Sequence, residues 1–512
     1  MDASKVPQFV SRVTQTLQEA GFEAYLVGGC VRDTLMGKSP KDWDLTTNAR
    51  PEQVIAAFPD LKTVNENDFG TVTVLNMSPE AGEGVTRETP DTDNQVQITT
   101  YRSEGEYLDN RRPSSVSYLS SGATAEGGET DIRKDLERRD FTMNAIAWDP
   151  IKDSVIDVFG GIKDIKDKSI KCVLYPDVRF KEDALRMLRA IRFSTTLGFA
   201  VTHETFASIS ANAGLLANIS GERIRDEFLK IIDSDAPAAG IDLLHKTGLL
   251  QYIIPELLEG VGCEQKGAHI YDVYQHLLHA LQHAADKKFS TEIRLTALFH
   301  DIGKPATRRY DRTKDKYTFF GHEVVGARMT KKIMERLRFS RETTDLVVTL
   351  VRNHMFFSDT EQITLSAVRR IIQKVKPEHI WELMEVRECD RVGMKKAEAP
   401  YRLRKYHAMI DEALRDPISV SALKIDGKYL MEVLHMKPGP RMGWMLHALL
   451  EEVLEDPSLN TVETLTEHIR RLETLPDAAL KELGEKGKEK KEEVNEEEVR
   501  AVHVKHGVGK KK

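Results

Sequence analysis

The chain has 512 residues, 40% of them hydrophobic and 30% charged, with a formal net charge of −7. That length exceeds one ordinary core and calls for several domains, while the acidic balance excludes a global basic field and leaves any nucleic-acid surface to local patches. Four scattered cysteines (Cys30, Cys172, Cys263, Cys389) without a Cys-x-x-Cys pair argue against a disulfide scaffold or zinc ribbon; with no basic-then-apolar leader and no apolar run of membrane-spanning length, the expected compartment is the cytoplasm.

In chain order, Val6, Phe9, Val10, Val13 and Leu17 recur at helical spacing, which predicts an amphipathic helix over residues 4–20 ended by Gly21. An apolar strand over residues 24–27 runs into Gly28-Gly29, then a short helix over 32–36. Residues 41–46 read as a strand carrying Asp42 and Asp44. Side chains at i and i+2 of a strand share a face, so the two carboxylates project together and repel unless a cation lies between them. Hard oxygen donors of this kind suit Mg²⁺, and the glycine turn offers backbone N–H groups to a polyphosphate. An isolated Asp-x-Asp is most often a solvated turn, so the assignment rests on what accompanies it. A helix over 51–58 and strands over 70–75 and 96–101 complete a small α/β head of about 150 residues, with a variable loop over 78–94. The long polar stretch 102–130 reads as a functional or disordered loop, and 135–147 as a helix bearing Arg138 and Arg139.

From residue 176 the pattern is helical. Residues 180–197 read as one amphipathic helix in which Asp183 and Arg186, at i and i+3, are neighbours on one face. Asp accepts from an exocyclic amino group and Arg donates to ring acceptors, so the pair matches C or A, which carry an amino group where U and G carry a carbonyl. Arg139 and Arg189 could neutralise a triphosphate, and Arg192 continues the ladder.

Gly-Gly-Cys-Val-Arg-Asp, Asp-Trp-Asp, Arg-Arg-Asp-Phe-Thr-Met-Asn-Ala and Glu-Asp-Ala-Leu-Arg-Met-Leu-Arg-Ala-Ile-Arg-Phe follow one another in that order. The set resembles the class II tRNA nucleotidyltransferases, the bacterial CCA-adding enzyme and poly(A) polymerase family. The resemblance implies a polymerase β-like α/β head with a small sheet, followed by an all-helical neck, body and tail. It implies nucleotide binding by Gly28, Gly29 and Arg32 and Mg²⁺ held by Asp42 and Asp44. Arg139 and Asn144 would touch phosphate and ribose, Asp183 and Arg186 would select the base, and Arg189 and Arg192 would bind phosphate. The third carboxylate of polymerase β-like sites is unassigned, with Asp140 the one candidate. The segment 102–130 stands where the family carries a flexible loop and favours a complete C, C, A adder. The implied partners are the tRNA 3′ end, CTP and ATP, with no DNA and no membrane.

A second constellation is His276…His300-Asp301…His322…His354…Asp390, on and beside predicted helices. Imidazoles with carboxylates fit Mn²⁺, Fe²⁺, Ni²⁺ or Zn²⁺, and Lys304 could meet a phosphate. The set resembles the HD phosphohydrolase superfamily, and His322 and His354 exceed its minimal ligand set and hint at a second metal. His279 and His283 read as ordinary helix histidines. The expected organisation is a head over 1–150, a neck and body with the base-selecting helix over 151–265, an HD-type domain over 266–400, a helical tRNA-binding region over 401–475, and a charged tail over 476–512. Basic residues at Arg369, Arg370, Lys374 and Lys376 allow a further RNA contact. The alternatives are a poly(A) polymerase or A-only adder, a protein that is chiefly an HD phosphohydrolase or phosphodiesterase, and a non-catalytic RNA binder with a decayed head. Oligomeric state is not legible.

Overall fold

The computed structural model describes residues 1–67, 70–77, 94–104, 116–118, 131–265, 270–313, 315–355, 364–392, 400–415 and 419–489. The chain forms two compact units, Met1–Ile253 and Ile254 onward.

In the first unit, β1 (Ala24–Val27), β2 (Asp44–Thr47), β3 (Lys62–Asn67), β4 (Thr71–Leu75) and β5 (Gln95–Thr100) join one sheet. A separate ribbon pairs β6 (Arg102–Glu104) with β7 (Val116–Tyr118), and β8 (Ala147–Asp149) and β9 (Ser154–Ile156) return to the main sheet. Its order is β3-β4-β5-β2-β1-β8-β9, with β2 and β5 parallel and the other neighbours antiparallel. Val72, Val74, Val96 and Ile98 are fully buried, as alternating β-branched residues should be on the covered face of a sheet. The helix Gln8–Glu19 packs Val10, Val13 and Leu17 against that face, after a short 3₁₀ turn at Ala3–Lys5 that shortens the expected span.

Three expectations for this unit are corrected. Asp42 stands just before β2, exposed, while Asp44 opens the strand half-buried. The expected helix over 135–147 is instead a helix at Asp131–Glu137, a turn holding Arg138 and Arg139, a 3₁₀ turn at Thr142–Asn144, and then β8. The expected continuous helix over 180–197 is two helices, Pro176–Glu182 and Leu185–Leu197. Asp183 sits between them with extended backbone (φ −136°, ψ 104°), its Oδ1 accepting from Leu185 N at 3.1 Å. Asp competes for backbone donors in this way, which favours it at helix starts over helix interiors. The expected loop over 78–94 falls almost wholly outside the described residues, as does most of 102–130 apart from β6 and β7.

The second unit is helical. Val273–Asp286, Thr291–Phe299, His322–Arg336, Arg341–Asn353 and Ile380–Asp390 carry or flank the candidate metal ligands. Asp272, Ser290 and Ser340 cap three of these helices by accepting from Gln275, Ile293 and Thr343 N–H groups, each cap contributing about 1 kcal/mol. Helices at Leu365–Val375, Pro400–Ala413, Pro440–Glu455 and Val462–Glu473 build a further core around Ile372, Met445, Leu449 and Ile469. Arg369 and Arg370 are held in that packing, Arg369 by Leu454 O at 3.2 Å and Arg370 by Glu455 and Glu451. A helix spans Asp477–Glu489, and the remainder of the charged tail lies outside the described residues. Among the described residues no helix is long and apolar enough to cross a membrane.

Candidate active site and metal centre

β1 ends at Val27, and Gly28 turns the chain with φ +78° directly into the helix Gly29–Leu35. The dihedral favours glycine, and a Cβ on Gly28 would stand 3.1 Å from Arg139 Nη1 and 3.7 Å from Asp44 Oδ2, crowding the guanidinium. Gly28, Asp44 and Arg139 therefore meet at one point. Burial raises the Asp44 carboxyl, Arg139 opposes that rise, and Asp42 adds to it. This is a site where negative charge is held against its preference, as the oxygen ligands of a cation are. Below it, burial and the Asp44 carboxylate push the Cys30 thiol up to about 12, which makes it an inert core group. Among the described residues no third His, Cys, Asp or Glu joins Asp42 and Asp44 in a group able to share one ion.

Asp140 is not that third ligand. It is buried, and both its oxygens are taken: Oδ1 accepts from Phe141 N at 2.8 Å and Asn144 Nδ2 at 3.1 Å, and Oδ2 from Arg189 at 2.6–2.7 Å. Asn144 Oδ1 in turn accepts from Arg32 Nη1 at 2.8 Å. The chain Arg32–Asn144–Asp140–Arg189 thus ties the glycine-turn helix to the helix Leu185–Leu197. Burial works against the Asp140 anion, but Arg189, the Asn144 amide and Arg186 outweigh it and bring its pKa from 3.8 to about 2. A carboxyl depressed in this direction stabilises the fold at neutral pH, and the contribution is lost as pH falls from about 4 toward 2. Asp140→Asn should therefore cost roughly 2 kcal/mol at pH 7 and progressively less toward pH 3. Denaturant unfolding at the two pH values measures this, and an equal cost at both would contradict the assignment.

Arg32, Arg189 and Arg192 surround the Phe193 ring, their guanidinium carbons 5.2, 5.5 and 4.0 Å from its centroid. Burial, partly relieved by Glu227 and reinforced by Arg189, lowers Arg192 to about 10. Three cations gathered around one aromatic ring can serve as a cradle for a polyanion.

Asp183 and Arg186 lie close in the chain but are held by different partners. Asp183 Oδ2 accepts from Arg223 Nη2 at 2.9 Å. Arg186 Nη1 donates to Glu182 Oε2 at 2.6 Å and Arg179 O at 3.2 Å, and its Nη2 donates to Arg138 O at 2.8 Å. The expected pair within one continuous helix is corrected to Asp183 at a helix break and Arg186 in the first turn of the helix that follows, each held by its own partners.

The second unit brings all six candidate ligands together. His276, His300, Asp301 and Asp390 form one group, and Asp301, His322 and His354 another, with the ligand atoms within 4.8 Å in each. His276 and His300 Nε2 lie 3.4 and 3.3 Å from Asp301 Oδ2, while His322 and His354 Nε2 lie 3.2 and 3.7 Å from Oδ1. The Nδ1 atoms of His300, His322 and His354 donate to the carbonyls of Ala297, Phe319 and Val351 at 2.7–2.9 Å. A carbonyl only accepts, so these rings carry a proton on Nδ1 and turn Nε2 inward. The Nε2 atoms of His322 and His354 lie 3.3 Å apart, and neither buried oxygen of Asp301 accepts a well-formed hydrogen bond, although Lys304 Nζ lies 2.5 Å from Oδ2. Such an arrangement is relieved by a cation, and the residues fit one. Gly303 permits the close packing: a Cβ there would meet His322 O at 2.3 Å and Gly326 N at 2.6 Å. His279 and His283 lie apart from the cluster, stacked on Tyr271 and bonded to Glu388.

Three family models match the chain: the Poly A polymerase head domain over residues 24–171, the probable RNA and SrmB-binding site of polymerase A over 198–260, and the HD domain over 267–394. A curated CCA-adding enzyme of Ligilactobacillus salivarius is 31% identical over 469 residues, covering 90% of this chain and 95% of that one. The chain belongs to the CCA-adding enzyme family. The CCA-adding enzyme of Geobacillus thermodenitrificans is 42% identical over 248 residues, 48% of this chain, and the match spans about half (54%) of that relative's length. Among solved structures, that of the Bacillus stearothermophilus CCA-adding enzyme in complex with CTP superposes with a TM-score of 0.64 at 26% identity, over 91% of this chain and 98% of that one.

In this CCA-adding enzyme family member, three site residues were given no role from the sequence: Glu182 inside a quoted motif, and Asp135 and Glu227 outside the motifs. Glu182 bonds to Arg186, Asp135 pairs with Arg138 and Arg139 at 2.6 and 3.3 Å, and Glu227 pairs with Arg192 at 3.2 Å. Glu182 carries a local signal, four residues before Arg186. Asp135 lies next to its arginines in sequence, but Glu227 reaches across 35 residues and leaves no pattern in the chain.

Proposed function

We propose that the chain adds or restores the terminal C, C and A of tRNA, using CTP and ATP and releasing pyrophosphate. The observation that carries this reading is the meeting of Gly28, Asp44 and Arg139 at one point in a chain whose family relatives are CCA-adding enzymes. The CTP in the Bacillus stearothermophilus structure supports the nucleotide assignment.

The reaction is in-line nucleotidyl transfer: the tRNA 3′-OH attacks the α-phosphorus and pyrophosphate departs. Mg²⁺ held by Asp42 and Asp44 would supply charge neutralisation and a lowered pKa for the attacking hydroxyl. Arg32, Arg139, Arg189 and Arg192 take the triphosphate, and Asn144, held between Arg32 and Asp140, meets the ribose. Asp183 and Arg186 read the amino-bearing edge of C or A. Gly29 leaves room for the nucleotide beside Arg32. Positioning and charge stabilisation account for most of the acceleration. The place of work is the cytoplasm, in keeping with four free, buried cysteines.

A second activity is favoured by the His/Asp cluster. Two groups of ligands sharing Asp301 would hold one or two transition-metal ions (Mn²⁺, Fe²⁺, Ni²⁺ or Zn²⁺) and support phosphoester hydrolysis.

The test is pyrophosphate release by the full chain from CTP, and separately from ATP, with tRNA lacking its last three nucleotides. CTP-dependent release requiring that tRNA supports the proposal. ATP-dependent release alone would favour a poly(A) polymerase or A-only adder, and release with neither would leave the HD hydrolase reading in front.

A further inference from the structure

The helix Gly221–Ile232 packs along Leu185–Leu197 and is absent from every motif quoted above. It buries Ile224, Phe228, Ile231 and Ile232, yet it also turns two charged residues toward the nucleotide side chains. Arg223 and Glu227, four apart and so on one face, take Asp183 and Arg192 respectively. Arg223 thus holds one end of the base-reading region and Glu227 the middle of the phosphate-binding helix.

Arg223 makes the more consequential contact. Asp183 lies at a helix break, where its backbone is extended rather than helical. Two bonds fix its side chain: Leu185 N–H to Oδ1 at 3.1 Å and Arg223 Nη2 to Oδ2 at 2.9 Å. A carboxylate offers about four lone-pair positions, so with one taken on each oxygen it still presents one on each. Those remaining positions can only accept. An amino group of C or A satisfies them, and a carbonyl of U or G in the same place meets them lone pair to lone pair. The discrimination depends on the carboxylate staying in that plane. The other terminal nitrogen, Arg223 Nη1, is buried without a hydrogen-bond partner, a donor held next to the same carboxylate.

We propose that Arg223 is a specificity-determining positioning residue: it locks the Asp183 carboxylate so that only amino-bearing bases are accepted. The inference rests on the base-reading role assigned above to Asp183. Without Arg223, the Leu185 N–H alone leaves the carboxylate free to swing, and its penalty against a carbonyl falls while binding of the triphosphate by Arg32, Arg189 and Arg192 persists.

The experiment is single-turnover transfer by the full chain, with each of CTP, ATP, UTP and GTP, comparing wild type with Arg223→Met, Arg223→Lys and Asp183→Ala. The readout is the ratio of kcat/KM for CTP over UTP and for ATP over GTP, which is internal to each preparation and unaffected by a partly unfolded fraction. Arg223→Met is expected to lower both ratios at least about tenfold, the scale of one lost base-reading contact. Arg223→Lys, which keeps a donor and a charge, is expected to restore most of the loss. If Asp183→Ala lowers the ratios and Arg223→Met leaves them unchanged, the role of Arg223 is refuted and that of Asp183 stands. A uniform fall in kcat/KM for all four nucleotides in Arg223→Met refutes it in the same way. If Asp183→Ala leaves the ratios unchanged, the base-reading assignment itself fails and the role of Arg223 falls with it.

Discussion

Asp44→Ala should abolish transfer of both CMP and AMP, by about a thousandfold or more, without lowering the melting temperature. The rate follows from the position of Asp44 at the meeting point of Gly28 and Arg139. A metal clamp on a transferring phosphoryl group is worth several kcal/mol, and each ~1.4 kcal/mol is a factor of ten. The stability follows from the sign of its pKa shift. Burial raises the Asp44 carboxyl, Arg139 only partly offsets this, and Asp42 reinforces it. The folded state therefore disfavours the Asp44 anion at neutral pH, and removing it relieves a cost. Asp140 is the contrasting case: its carboxyl is depressed, and its replacement costs stability. The two aspartates separate a group held for chemistry from one held for structure. Transfer rates with each nucleotide and a thermal melt together decide it. Residual transfer within tenfold of wild type would remove Asp44 from the metal site.

The second large effect is expected in the other unit. Asp301→Ala should empty the metal centre, whereas His354→Ala should leave one group of ligands intact. Asp301 Oδ2 faces His276 and His300 and its Oδ1 faces His322 and His354, so one carboxylate serves both groups. Losing even a group that merely orients a metal ligand typically costs 10–100-fold in affinity, and losing a shared ligand costs more. His354 belongs to the second group alone, so its loss leaves His276, His300, Asp301 and Asp390 in place. Metal content after dialysis, measured by elemental analysis, distinguishes the variants. Full metal retention in Asp301→Ala would contradict the shared-ligand geometry. Nucleotidyl transfer should persist in both variants, because Asp42 and Asp44 are untouched.

What could be read in the chain divides along a physical line. The glycine turn was legible because it is a local requirement, a positive φ at Gly28, whereas the placing of both acids on one strand was not, since β2 begins only at Asp44. The grouping of the six His and Asp side chains was legible too, since few other reasons place those residues on and beside helices in that order. The break at Asp183 was not, because an Asp in a helix interior and an Asp capping the next helix have the same periodicity around them; only the Leu185 N–H bond distinguishes the two. β3 was missed because Lys62–Asn67 is mostly polar and shows no apolar alternation, and β8 because Ala147–Asp149 is too short to carry a period. Asp140 as a metal ligand failed for a different reason. Its competitor, Arg189, lies 49 residues away, and nothing in the local sequence announces that contact.

The central claim is tested most directly by sequencing the 3′ ends of tRNA lacking its last three nucleotides after incubation with the full chain and all four nucleoside triphosphates. The account predicts products that stop after C, C and A. Homopolymeric A tails, A added without preceding C, or unchanged ends would contradict it.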